Sequence, residues 1–255
     1  MKIVVGYKCV PTNDQIEVKG DKTLDLSKAE WEIGEFDLNA AEAAAQLVEA
    51  HGGTAVALMA NTPAAAGNTK LKKGILSRGM AEQFAIVGEC FAEADSLTTA
   101  KALKAGVEKI GDVDLVLCGE GSGDMYTQQV GNTLGVLLGW TTLNAVSKIE
   151  YADGALKVER AVADGTESLT VNLPAVISVT SDINLPRFPS FKEIMAAGKK
   201  PSTSWALNEL MDEPTPAYET VSILAPEQTD RKKIIMEGTD DETVDAFIDL
   251  IKKSF

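Results

Sequence analysis

Short apolar runs alternate along the chain with stretches whose apolar residues recur at helical spacing. Ile3–Tyr7 is a β-branched run bounded by Gly6 and Pro11, which predicts a buried first strand. Asp14–Leu26 predicts a loop or hairpin turning at Gly20-Asp21. Phe36–His51, rich in Ala and Glu, predicts a helix with Asp37 as its cap and Gly52-Gly53 as its stop. Strand Thr54–Met59 follows, then a loop opening at Asn61-Thr62-Pro63 and a helix over Asn68–Arg78 ending at Gly79. Strand Gln83–Val87, helix Ser96–Ile110, capped by Ser96 and stopped by Gly111, and strand Asp114–Cys118 complete the alternation. A glycine-rich loop, Gly119-Glu120-Gly121-Ser122-Gly123, leads into a helix through about Leu138.

The pattern then changes. Val146–Tyr151, Ala155–Val162 and Glu167–Leu173 predict antiparallel strands turning at Asp153-Gly154 and Asp164-Gly165. Val176–Thr180 is a further apolar strand, Ser190–Ala197 a short helix, Pro201 to Pro216 a linker, and Tyr218–Leu224 a strand. Asp240–Lys253 has Val244, Phe247, Ile248 and Ile251 on one face of an amphipathic helix. Strands alternating with helices imply an α/β fold, a parallel twisted sheet with helices on both faces, Rossmann-like and nucleotide-binding in type. To it are added a small antiparallel β section and a C-terminal arm. The expected organisation is a core over residues 1–200 and an arm over residues 201–255 that wraps a partner, with docking of its helix on the chain's own core as the alternative.

A chain of 255 residues suits one large α/β domain and buries a core without staples. Lys and Arg number 24 against 38 Asp and Glu, a net charge of −14 that argues against nucleic acid and anionic membranes as partners. Cys9, Cys90 and Cys118 lack the spacing of a zinc or iron–sulfur site, and an odd count argues against a disulfide framework. The apolar N-terminal run is too short for a signal peptide, and no apolar stretch approaches the roughly 20 residues of a membrane helix. The expected location is the cytoplasm, without membrane insertion.

His51 is the one histidine and sits at a helix end, where it complements the helix dipole rather than building a triad or a metal site. No catalytic residue is expected, which points to a binding or carrier protein. The chemistry lies instead where the strand ending at Cys118 enters the glycine loop. Glycines let a backbone approach a ligand closely, and the free amides of a helix start favour phosphate. Thr127 and Gln129 add side-chain donors. The run is neither GxGxxG nor a Walker A motif, and a tight turn with glycines for packing remains the alternative.

Several segments resemble electron-transfer flavoprotein β subunits. Val158 to Ser178 carries the order the family signature wants: a basic residue, an acidic turn, Glu167 and then Leu173-Pro174-Ala175-Val176, departing from it at Ala163. Asn184-Leu185-Pro186-Arg187 and the lysine-ended stretch to Lys200 look like the family's recognition segment. Lys8, the helix start Asp37-x-Asn39-Ala40-x-Glu42, and Gln129-Val130-Gly131 also match. Gly119 to Asp124 and Thr180 to Asn184 look like the Fix-type branch, which accompanies flavoprotein dehydrogenases in anaerobic metabolism.

The resemblance implies a heterodimer. An α subunit would hold most of an FAD that carries electrons from an acyl-CoA dehydrogenase-like or other flavoprotein dehydrogenase to a downstream acceptor. The β subunit would bind an adenine nucleotide, AMP or a second FAD, the latter in complexes that oxidise NADH by bifurcation. The alternative is an ATP pyrophosphatase-like enzyme, but Tyr7-Lys8-Cys9-Val10-Pro11 replaces its phosphate loop. Three strand ends converge on the helix start, which places the nucleotide among Gly6, Tyr7, Lys8, the Met59–Pro63 loop, Gly119, and Thr127, Gln128, Gln129, Val130, Gly131, Asn132 and Thr133, with Asn39 and Asp124 as further contacts. Gly131→Val is expected to block the phosphate. Phe36 is expected near the partner's flavin, with a staple role in its own helix as the alternative. Pro189, Phe191 and Met195 are expected to dock the dehydrogenase; packing of Phe191 and Met195 on the core is the alternative.

Overall fold

A computed structural model describes residues 1–212, 214–227 and 233–253. Nine strands build one sheet: β1 (Lys2–Gly6), β2 (Thr54–Asn61), β3 (Glu82–Val87), β4 (Leu115–Gly119), β5 (Thr141–Ala152), β6 (Ala155–Val162), β7 (Gly165–Val171), β8 (Ala175–Val179) and β9 (Ser202–Ala206). Their order is β7-β6-β5-β8-β4-β1-β2-β3-β9. From β5 to β9 all neighbours run parallel, while β5, β6 and β7 form an antiparallel meander at the other edge.

Side-chain alternation along the strands divides the core between the two faces. Ile3 and Val5 point to one layer with Ala40, Ala44 and Leu47 of α1 (Glu35–His51) and Ile75 of α2 (Thr69–Leu76). Val4, Val56 and Val116 point to the other, against Ala100, Leu103 and Val107 of α3 (Ser96–Ile110) and Leu134 of α4 (Val130–Leu138). Two further helices, α5 (Phe191–Ala197) and α6 (Asp241–Lys252), follow the sheet's last parallel strands. No helix among the described residues is long and apolar enough to cross a membrane.

The structure departs from the sequence pattern at several points. Gly34, not Asp37, is the N-cap of α1, and Asp95, one residue before Ser96, caps α3 through the Thr98 amide at 2.6 Å. The helix after the glycine loop begins only at Val130, because Tyr126 and Gln128 adopt positive φ and keep the chain from helical continuity before Gln129. The stretch expected as linker contains β9, paired in register from Ser202↔Gln83 to Ala206↔Val87. Only Thr203 and Trp205 face inward from it, too few to register as a period, and Trp205 stacks on Phe84 at 5.0 Å. Tyr218–Leu224 forms no strand: its β-branched composition is that of a strand, but no sheet edge takes it up, and Val221 stands 92% exposed.

Candidate functional site

The C-terminal ends of β1, β2 and β4 open on a single cleft. After β1 come Gly6, Tyr7 and Lys8; β2 supplies Ala60 and Asn61; the chain after β4 supplies Cys118 to Ser122; and Thr127 to Gly131 lead into α4. Ser96 and Thr99 of α3 stand beside them, with Ser96 Oγ 3.1 Å from Thr127 Oγ1. The start of α4 is not capped by a side chain, and the amides of Val130, Gly131 and Asn132 precede the first intrahelical bond, that of Thr133 to the Gln129 carbonyl. Asn61 is buried; its Oδ1 accepts the Thr62 amide at 2.8 Å, while its Nδ2 has no partner among the described residues. A buried donor left unmade is unfavourable, so an acceptor brought into this cleft gains from it.

Asp37 is the buried brace of the cleft, 7% exposed. Its Oδ2 accepts the Lys8 amide at 2.7 Å and its Oδ1 the Gly119 amide at 3.2 Å, tying together the turns that follow β1 and β4. Burial pushes its carboxyl up to about 7, and these two donors only partly oppose that. The folded pKa lies above the unfolded one, so the stabilisation is complete at low pH and lost as the pH rises through about 7. Measured by urea midpoints, the parent should lose up to about 4 kcal/mol relative to Asp37→Asn between about pH 4 and pH 8. Parallel pH profiles for the two proteins would remove this role.

Lys8 Nζ contacts both carboxylate oxygens of Asp124, at 2.6 and 2.8 Å, at the exposed rim. Burial raises the Asp124 carboxyl, but the Lys8 ammonium outweighs it and holds the acid below its usual range. Tyr7 lies in the wall, with its hydroxyl turned beneath it to accept from Gln83 and donate to Met59 Sδ, both at 3.0 Å.

Of the residues expected at the nucleotide, Gly6, Tyr7, Lys8, Gly119, Thr127, Gln128, Gln129, Val130 and Gly131 line this cleft. Met59 lies under Tyr7, and Asp124 reaches the rim through Lys8. Asn132 and Thr133 occupy the first turn of α4 outside the lining, Thr133 donating to the Gln129 carbonyl at 2.9 Å. Asn39 faces away: its amide donates to the carbonyls of Ser181 and Asn184. A Cβ at Gly131 would overlap Ser178 Oγ, so this glycine is required by packing of α4 on β8, and Gly131→Val would disturb the fold with or without a ligand. Sequence reasoning missed Asp37 as a brace, Ser96 and Thr99, and the arm residues Tyr218 and Thr220, which also line the cleft. The Asp37-x-Asn39 helix start was the available signal for the first; nothing in the pattern pointed to the arm.

Phe36 is half-buried behind Gly119, its ring 5.4 Å from that of Tyr126, whose hydroxyl donates to Glu120 Oε1 at 3.0 Å. Far along the chain, Asn184 Nδ2 returns a bond to the Asn39 carbonyl at 3.0 Å. Arg187 forks onto Glu42 at 2.6 and 3.0 Å and reaches Glu49. These bonds anchor the base of the segment that presents α5. Ser190 and Glu193 close a capping box there, and Phe191 and Met195 are 78% and 60% exposed rather than packed on the core. Pro189, just before the capping box, is half-buried. His51 meets Tyr151 edge-on at 5.4 Å.

Strands β2 to β9, the cleft residues from Asp37 to Gly131 and the paired Asn39–Asn184 and Glu42–Arg187 contacts fall within one continuous stretch of the chain. Residues 22–210 match the family described as the electron transfer flavoprotein domain. The chain belongs to that family. In this electron transfer flavoprotein domain the two motifs, 145 residues apart, form one bonded unit. The matched residues also include β9, so the family domain runs to the end of the parallel sheet.

Proposed function

We propose that this chain is the β subunit of a heterodimeric electron-transfer flavoprotein of the Fix-type branch, working in the cytoplasm. It carries electrons between flavoprotein dehydrogenases, acyl-CoA dehydrogenase-like ones among them, and a downstream acceptor. Its cleft holds an adenine nucleotide, AMP or a second FAD. The observation that carries the nucleotide reading is that Asn61, whose buried Nδ2 has no partner among the described residues, lines the same cleft as the uncapped start of α4. The amides of Val130 and Gly131 would take the phosphate, Asn61 would donate to an acceptor on the base or sugar, and Asp37 keeps the two walls at fixed spacing. A flavin supplies the one- and two-electron chemistry when bound, and the protein contributes position and field. Phe36 faces the partner's flavin in this reading.

The partner contact is the arm. On α6, Val244, Phe247, Ile248 and Ile251 form a stripe that is exposed on this chain, as expected of a surface meant for another subunit. Removal of residues after Asp212, which spares β9, is expected to abolish the heterodimer. Phe191 and Met195 are the contact for the dehydrogenase.

Co-expression with the partner subunit tests the whole reading: the purified complex is expected to contain FAD and an adenine nucleotide. Phe191→Ala should slow flavin reduction by the cognate dehydrogenase about ten-fold, as loss of an aromatic anchor does, with FAD content and reduction by dithionite unaltered. Reduction at the parent rate would end the docking assignment.

A further inference from the structure

We infer that the C-terminal arm is a removable wall of the cleft, and that Tyr218 is a ligand-side residue that slows release of the nucleotide. The inference rests on the nucleotide reading of that cleft. After β9 the arm turns back across the cleft mouth, and Tyr218 and Thr220 join its lining. Asp95 fixes this crossing: one oxygen caps α3, and the other accepts the Ala217 amide at 2.5 Å. The Tyr218 hydroxyl accepts the Ser96 amide at 3.5 Å, a long bond, beside the Ser96–Thr127 contact. Beyond the mouth, the Ala225 amide donates to the Lys22 carbonyl at 2.9 Å, and Lys22 pairs with Glu227 at 2.7 Å.

The bonds that hold this crossing among the described residues are polar, and the ion pair is exposed. The apolar side chains of the same stretch, Val221, Ile223 and Leu224, stand out in solvent. A segment with few buried apolar contacts opens at little free energy, whereas a partner surface that buries those three side chains draws it off. The arm therefore lies in one of two places. On its own subunit it closes the cleft; on a partner it leaves the mouth open. Tyr218, 52% exposed, belongs to no part of the core, so its ring is free to lie against a bound base or sugar with its hydroxyl kept on α3.

The test is the release rate of AMP from the full chain, compared with Tyr218→Phe and Tyr218→Ala. Tyr218→Ala should release AMP about ten-fold faster, the size of one aromatic contact, with Tyr218→Phe close to the parent. The melting temperature without nucleotide should be nearly the same in all three, since Tyr218 is half exposed, lies outside the core and makes one long bond to α3. Equal release rates for the parent and Tyr218→Ala would overturn the wall while leaving the nucleotide site in place. Failure of the parent to bind either AMP or FAD would overturn the nucleotide reading and the wall with it.

Discussion

Arg187→Ala is expected to destabilise the protein by about 3 kcal/mol, read as a lower urea midpoint with an unchanged m-value. The size follows from what is left behind. Glu42 is buried, and it receives the fork of Arg187 together with the Arg187 amide at 3.2 Å. Its remaining bond is from Gln46, at 2.9 Å. Removing the guanidinium leaves a carboxylate in a place that had expelled water for it. Glu49 is largely exposed and adds little. Arg187→Lys keeps the charge but not the fork, and should lie between the two. The pH gives a second check. Burial pushes the Glu42 carboxyl up, but Arg187 and Gln46 hold it below the usual range, so this stabilisation is present at neutral pH and is lost as the pH falls. The gap between parent and Arg187→Ala should therefore narrow in acid; a gap independent of pH would mean that the effect is packing alone.

Gly131→Ala should destabilise the parent by about 3 kcal/mol, yet be neutral or better in a Ser178→Ala background. In the parent the new methyl would overlap Ser178 Oγ, on a strand at the centre of the sheet that has no room to retreat. Once that oxygen is gone, the nearest atoms are Ser178 Cβ at 3.5 Å and Cys118 Cβ at 3.7 Å, which is ordinary contact. The helix then gains the usual advantage of Ala over Gly. A double-mutant cycle by urea denaturation reads the coupling directly, and additive effects would show that α4 shifts bodily instead. Gly135 repeats the arrangement one turn on, against Thr142. This pair of close contacts seats the start of α4 at the cleft, so Gly131, which looks like a phosphate glycine in the sequence, is first of all a seating point.

Much of the fold was legible because the two longest helices stop at glycines: Gly52 and Gly111 both take positive φ at the ends of α1 and α3. The strand ends that meet at the cleft followed from the same punctuation. What was not legible depended on distant partners. The role of Asp37 needs the amides of Lys8 and Gly119, and Asp37 also carries every local mark of a helix cap. Asn39 sits in the same motif but turns to Ser181 and Asn184, a choice that periodicity does not record. β9 was hidden because an edge strand with two inward residues leaves almost no pattern, and Tyr218–Leu224 misled for the converse reason, having strand composition without a free edge.

The bonds of Asn184 to Asn39 and of Arg187 to Glu42 lie at the root of the segment that carries α5, and the capping box of Ser190 and Glu193 orders its tip from within. Between these fixed points Phe188, Phe191 and Met195 owe the core nothing. In the docking role proposed for Phe191 and Met195, folding and recognition are written in separate letters of the same stretch of chain. A lineage that keeps Asn184, Arg187 and Ser190 is free to revise the exposed side chains one at a time, trying new associates without hazarding the scaffold that displays them. The segment behaves as an interchangeable bit in a permanent socket.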